Sequence, residues 1–185
     1  STEIYRQRVI QMGEQPENVH NVGALGLDNI RKLDLLSKVE FEKSINHKLH
    51  KRNLLITFHP VTLENNTAGE QFSQLIQALD SLKEAFLIFT KPNSDKDGRV
   101  IIQMIDKYVQ SNPKKAIAFT SLGQRRYLSA IPYMDAVAGN SSSGIIEVPI
   151  FNVPTINIGD RQKGRIMGPS IFNCSPIKKE ICNSL

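Results

Sequence analysis

Residues 53–90, NLLITFHPVTLENNTAGEQFSQLIQALDSLKEAFLIFT, decide the architecture. They open on a compact apolar run, 53–58, that lacks a 3.6-residue period and reads as a buried strand. From 67 to 82 the apolar residues Phe72, Leu75, Ile76, Leu79 and Leu82 fall at i, i+3, i+4, i+7 and i+10, one stripe of an amphipathic helix. A second apolar run, 85–90 (AFLIFT), completes a strand–helix–strand unit. Two strands joined through a helix run parallel, with a right-handed crossover.

The alternation continues outward from this unit. Val100, Ile101, Met104, Ile105 and Tyr108 share a face of a helix predicted over 98–110, which Asn112-Pro113 stops. Strands follow at 116–120 (AIAFT), 136–138 (AVA) and 155–158 (TINI), with a sixth at 171–174 and a short helix at 124–131. Strand and helix in strict turn predict an α/β fold, a Rossmann-like parallel sheet with helices on both faces. Toward the start, Ile4, Tyr5, Arg8, Val9 and Met12 have helical spacing, and a short strand at 20–25 and a helix at 28–36 are expected. Neither an internal repeat nor a low-complexity tract is present.

A chain of 185 residues, 40% apolar, suits one ordinary domain or a large half of something bigger. It carries no apolar run of the roughly 20 residues that a membrane span needs and no signal peptide at its start, so a soluble, cytoplasmic protein without a membrane partner is expected. The abrupt entry into helix, without an initiator methionine, suggests a fragment cut at or near a domain boundary. Cys174 and Cys182 have neither the second cysteine pair nor the histidines of a zinc site and read as reduced, structural thiols; no metal site is expected. The net charge of +5 favours anionic ligands, but its cations are dispersed in small groups and no nucleic-acid-binding motif accompanies them. A nucleic-acid partner is therefore not expected.

In parallel sheets ligands bind beyond the carboxyl ends of the strands. His59 stands at such an end, followed by Pro60; its imidazole can donate to a phosphate or exchange a proton near neutral pH, or serve only as a hydrogen-bonded element of the fold. The second strand delivers TKPNSDKDG, where Asn93 can recognise a ligand hydroxyl or phosphate while Asp95 and Asp97 read as turn residues. The third delivers TSLGQRRY, whose main-chain groups at Leu122 and Gly123 are placed to read a flat base edge; Arg125 and Arg126 read as a solvated face.

After the fourth strand comes GNSSSGIIEVP, residues 139–149. Small residues between a strand and a helix let main-chain N–H groups approach an anion, and the hydroxyls of Ser141 and Ser142 add donors. The turn is neither a phosphate-binding Gly-Lys-Ser/Thr loop, nor the dinucleotide glycine pattern, nor a nucleophile elbow. Glu147, one turn further on, repels phosphate and suits a neutral diol such as a ribose. Together these describe a nucleoside diphosphate lying across the turn. The competing reading is a serine N-cap with Glu147 as its capping-box partner. The fifth strand ends in GDRQKGR, whose Arg161, Lys163 and Arg165 can neutralise a pyrophosphate leaving group.

Taken together, ITFHPVTLE, KPNSD, AFTSLGQRRYL and GNSSSGIIEVPIFNVPTINIGDRQKGR, with YRQRVIQMGEQPENVHNVGALGLDN near the start, resemble the carboxyl-terminal half of the hydrolysing UDP-N-acetylglucosamine 2-epimerases, in the branch that makes precursors of sialic and other nonulosonic acids. The resemblance implies a carboxyl-terminal UDP-binding domain over 1–185, with 1–50 as a less defined leading segment. That domain would be one half of a glycosyltransferase-B-type enzyme with its active site in the cleft. It implies that His59 is an active-site histidine and that Asn93 contacts substrate. It further implies that the Leu122 main chain meets uracil, Ser141 and Ser142 bind phosphate, Glu147 grips the ribose and Arg161 belongs to the basic loop.

Such enzymes eliminate UDP in an anti sense to give a 2-acetamidoglucal and then add water, yielding the free 2-epimer; no redox cofactor is implied. The family's remaining acid–base carboxylates belong to its amino-terminal domain, so these residues alone are expected to bind UDP weakly and to turn over little. A homo-oligomer, dimer or tetramer, is expected of the complete protein. Two other readings stay open: the donor-binding domain of a UDP-sugar glycosyltransferase, and a non-enzymatic module for an anionic partner.

Overall fold

The computed structural model describes residues 2–61, 67–93 and 96–185, the side chain of Lys96 excepted. The predicted turn residue Asp95 therefore lies outside the described residues. Two compact units, Ser1–Asp34 and Leu35–Leu185, divide the chain.

The first unit holds α1 (Glu3–Gln11), a 3-10 turn at Pro16–Asn18 and α2 (Leu25–Lys32). The Thr2 hydroxyl caps α1 by accepting from the Tyr5 N–H at 3.3 Å. Arg6 reaches back from the helix to the carbonyls of Val19 and Pro16, at 2.6 and 3.0 Å. The strand expected at 20–25 does not form: residues 20–24 join no ladder and Leu25 already begins α2, which ends at Lys32 instead of running to residue 36. Among the described residues this unit offers no second strand, and an unpaired strand does not persist in water.

In the second unit, α3 (Lys38–Ser44) precedes β1 (Arg52–Thr57), α4 (Ala68–Asp80), β2 (Ala85–Thr90), α5 (Lys96–Ser111), β3 (Ala116–Phe119) and α6 (Gly123–Ala130). Then come β4 (Ala136–Gly139), α7 (Ser143–Ile146), β5 (Thr155–Ile158), β6 (Ile171–Cys174) and α8 (Lys178–Ser184). The strands form one sheet in the order β3-β2-β1-β4-β5-β6, every pair parallel. The six strands expected from residue 53 onward all form. Asp97, expected in a turn, sits in the first turn of α5, where its charge suits the helix N-terminus. The short helix α3 starts with a capping box: Ser37 Oγ accepts from the Glu40 N–H at 3.4 Å and Glu40 Oε2 accepts from the Ser37 N–H at 2.8 Å.

Pleat alternation divides the core. Leu54, Ile56 and Phe58 join Phe72, Leu75 and Leu79 of α4 and Ile101, Ile105 and Tyr108 of α5 in one buried cluster. Phe58 and Phe72 meet at 5.7 Å between ring centroids, and Phe89 meets Tyr108 edge-on at 5.9 Å. On the opposite face Phe86 receives the stacked rings of His47 and His50, at 4.2 and 4.9 Å, from the segment after α3. Helices thus cover both faces, as the alternation of strand and helix requires. Phe72→Ala should lower the free energy of unfolding by about 3–5 kcal/mol, read from the urea unfolding midpoint.

Candidate functional site

The strand order reverses between β1 and β4, and at such a switch point the loops leaving adjacent strands part to form a crevice. A cavity of about 480 Å³ opens there, lined by Thr57 at the end of β1 and His59 beyond it, Thr90 at the end of β2 and Lys91 beyond it, Leu122 after β3, Tyr127 on α6 and Glu147 after α7. It is of the size that small-molecule sites occupy. His59, Leu122 and Glu147, singled out in the sequence, therefore share one pocket. Ser141 and Ser142, half-buried, lie just beyond β4, and Arg161 reaches the same turn from the loop after β5. Asn93 is exposed beyond β2 and is not among the residues that line the cavity.

The turn after β4 owes its shape to packing. At Gly139, φ is +136° and a Cβ would stand 1.9 Å from the Thr57 carbonyl oxygen, so no other residue fits the end of this strand. At Gly144 a Cβ would lie 2.7 Å from Thr155 Cγ2. The two glycines that bracket the serines are thus required by the approach of β4 to β1 and of α7 to β5. Ser142 occupies the N-cap of α7 without a side-chain cap bond, so the capping box with Glu147 does not form. Ser141 Oγ accepts from the Ser143 N–H at 3.4 Å instead.

Asn140, which the sequence reading passed over, ties the turn to its neighbours. Its Oδ1 accepts from the His59 N–H at 2.7 Å and its Nδ2 donates to the His59 carbonyl at 2.8 Å. Its own carbonyl accepts from Arg161 Nη1 at 3.0 Å and Gln162 Nε2 at 2.7 Å. Burial lowers the pKa of Arg161 from its ordinary value, and the charge of Arg165 adds to the effect. An anion beside this pair of guanidinium groups would relieve both.

Tyr127 was also missed. Its hydroxyl and that of Ser143 are buried without a hydrogen-bond partner. Burial pushes the Tyr127 phenol pKa up, the nearby Ser143 hydroxyl acting against the shift and the charge of Glu147 with it. These groups stand close together, short of hydrogen-bonding geometry. Sequence spacing carried little signal for them, because Tyr127 and Ser143 belong to different helices.

The loop after β3 departs from the reading of its residues. The Leu122 carbonyl is not free: it accepts from Arg126 Nε at 2.9 Å, and the Gly123 N–H donates to Ser121 Oγ at 3.0 Å. Arg126 is half-buried and holds this loop together, with its guanidinium 5.7 Å from the centroid of the Phe119 ring; it is not a solvated face. Lys91, half-buried at the cavity, pairs with Asp106 of α5. Among the described residues no three His, Cys, Asp or Glu side chains gather to hold a metal ion.

Fold and crevice together define a doubly wound α/β domain with its ligand-facing loops at the switch point. The chain belongs to the UDP-N-acetylglucosamine 2-epimerase family, whose match extends over residues 1–185. It is 44% identical over 173 residues to a Campylobacter jejuni GDP/UDP-N,N'-diacetylbacillosamine 2-epimerase (hydrolyzing), covering 94% of this chain and 45% of that protein. It is 42% identical over 180 residues to the Escherichia coli polysialic acid biosynthesis protein P7, covering 97% of this chain and 45% of that one. The chain thus spans about half the length of the curated relatives it matches. The S. aureus MnaA–UDP co-structure shares the fold, with a TM-score of 0.72 at 16% identity over 99% of this chain and 48% of that one. The Rossmann-like sheet expected as one half of a glycosyltransferase-B-type enzyme is the fold observed.

Gly139→Ala should cost at least about 3 kcal/mol of stability through strain and clash. Gly164→Ala, also at positive φ but with open space around its Cβ, should cost about 1–2 kcal/mol. Thermal unfolding of the two variants measures the difference.

Proposed function

We propose that this chain is the carboxyl-terminal, UDP-binding part of a hydrolysing UDP-N-acetylglucosamine 2-epimerase, working on N-acetylglucosamine or a 2,4-diacetamido relative for sialic or related nonulosonic acid synthesis. The observation that carries the proposal is the meeting of His59, Leu122 and Glu147 in one cavity, with Ser141, Ser142 and Arg161 at the adjoining turn, in a chain that matches the epimerase family from end to end. The complete enzyme would act in the cytoplasm as a homo-oligomer, dimer or tetramer. Among the described residues no helix is long and apolar enough to cross a membrane.

In the proposed complex the base stacks against the loop at Leu122, and Glu147 accepts hydrogen bonds from both ribose hydroxyls. Ser141, Ser142 and Arg161 take the diphosphate, and Asn93 meets the substrate at the rim. In the reaction a base removes the C2 proton, the C1–O bond breaks, and UDP departs with the electron pair, leaving a 2-acetamidoglucal. Water then adds across the double bond, its hydroxyl to C1 and a proton to C2 on the face opposite the one from which the first proton left. His59 contributes by proton transfer or by a hydrogen bond to the leaving diphosphate, and the cationic loop stabilises the charge that develops there. The carboxylates that complete the acid–base set belong to the rest of the enzyme, so this chain alone binds UDP weakly and turns over little.

The decisive assay gives the complete enzyme each UDP-sugar in turn and follows UDP release and the sugar formed. A free 2-epimer without any acceptor is expected; an absolute need for an acceptor would point to a glycosyltransferase. Glu147→Ala should weaken UDP by about 10- to 100-fold, the worth of hydrogen bonds to a charged group, with inorganic phosphate little changed. Calorimetric titration of both ligands checks this, and equal weakening of the two would remove the acid from the ribose.

A further inference from the structure

The side chain of Asn140 does the work of a peptide group. Main-chain pairing of β4 with β1 ends at the rung Thr57↔Gly139, and the Asn140 N–H makes its last bond, to the Thr57 carbonyl at 3.1 Å. Beyond that rung the backbone turns away, which the positive φ of Gly139 allows. The carboxamide of Asn140 then fills the vacated place, accepting from the N–H of His59 and donating to its carbonyl. A neighbouring strand would supply the same donor and acceptor from its main chain. Pro60 restricts His59 from the other side, disfavouring helical backbone at the residue before it.

With its side chain so committed, Asn140 offers its main-chain carbonyl to Arg161 and Gln162. It is 1% exposed and is not among the residues that line the cavity. Its role is therefore separate from ligand contact. Three loops meet in this one residue: the loop after β1 that bears His59, the serine turn after β4, and the basic loop after β5.

Resting on the function proposed above, we infer that Asn140 is a positioning residue for the elimination step. It fixes the main chain of His59, and so the root of the imidazole, relative to the turn and the arginine that receive the departing diphosphate. Aspartate has nearly the same shape yet cannot replace it. Its carboxylate would still accept from the His59 N–H, but would set a second anionic oxygen against the His59 carbonyl where a donor is required. Misplacement of a reacting group by about 1 Å costs on the order of 100-fold in rate.

The test is a double-mutant cycle in the complete enzyme: Asn140→Asp, His59→Ala and both together, with kcat, KM, UDP affinity and urea midpoints measured for each. Asn140→Asp should lower kcat about 100-fold with KM nearly unchanged. In the His59→Ala background it should cost less than about threefold more, because residues acting through one another are not additive. A merely structural asparagine would cost the same factor in both backgrounds. That result, with turnover lost in His59→Ala, overturns the positioning role and leaves the proposed function standing; wild-type turnover in His59→Ala overturns both. Should Asn140→Asp fail to fold, Asn140→Ser, which keeps an acceptor and removes the opposed charge, takes its place in the cycle under the same outcomes.

Discussion

The approach of β4 to β1 is the constraint on which the rest of this domain depends. A parallel sheet can reverse its strand order only where two strands laid down far apart in sequence come together, and here they come together without a side chain between them at the last rung. That contact sets the mouth of the crevice and the direction in which the chain leaves β4. It also places the serine turn beside His59, although 81 residues separate His59 from Asn140. A bulkier residue at Gly139 would open the sheet where its two halves join. The core cluster beneath, from Leu54 to Tyr108, explains why the sheet is rigid enough for so tight a rung to persist.

The electrostatics follow the same geometry. The cations of this chain are scattered in sequence, but Lys91 and Arg161 both follow strands at the carboxyl edge of the sheet. Among the described residues Arg161 is anchored to a main-chain carbonyl and to no carboxylate, so its charge is oriented without being neutralised there. Arg126, by contrast, spends its donors on the carbonyls of Leu122, Ser121 and Ser44 and is structural. Arg126, read in the sequence as part of a solvated face, thus shapes a loop, whereas Arg161, read as part of the basic loop, joins that loop to the turn after β4. What distinguishes them is the element each one faces.

The fold was largely legible because its signals are local. Compact apolar runs mark β1 to β6 and 3.6-residue stripes mark α4 and α5, all within ten or fifteen residues, and the ligand edge then follows from topology. Signals that were local but brief were missed, as with Ser37 and Glu40, whose spacing is a capping box ahead of α3. The expected strand at 20–25 failed for the opposite reason: local propensity was present, but a strand needs a partner. The site was legible in outline only. His59, Leu122 and Glu147 could be found from their places after strands, whereas Asn140, Tyr127 and the true task of Arg126 depend on contacts across loops and helices. For the glycines at 139 and 144 the packing supplies a reason that the sequence did not show.

On the proposed function, this division also explains how the labour is shared between the two halves of such an enzyme. Recognition of a nucleoside diphosphate needs an edge of fixed donors, which loops tied to a parallel sheet provide. Removal of a proton from carbon and capture of a glucal by water need, in addition, a closed environment in which charges are strong and bulk solvent is excluded. A crevice on one sheet edge is open on its far side. The groups it holds can orient a leaving group and place one imidazole, but they cannot surround the sugar. The carboxylates that act on the sugar would therefore come from the facing wall, and the tie between His59, the serine turn and Arg161 would give that wall a single rigid target on which to close.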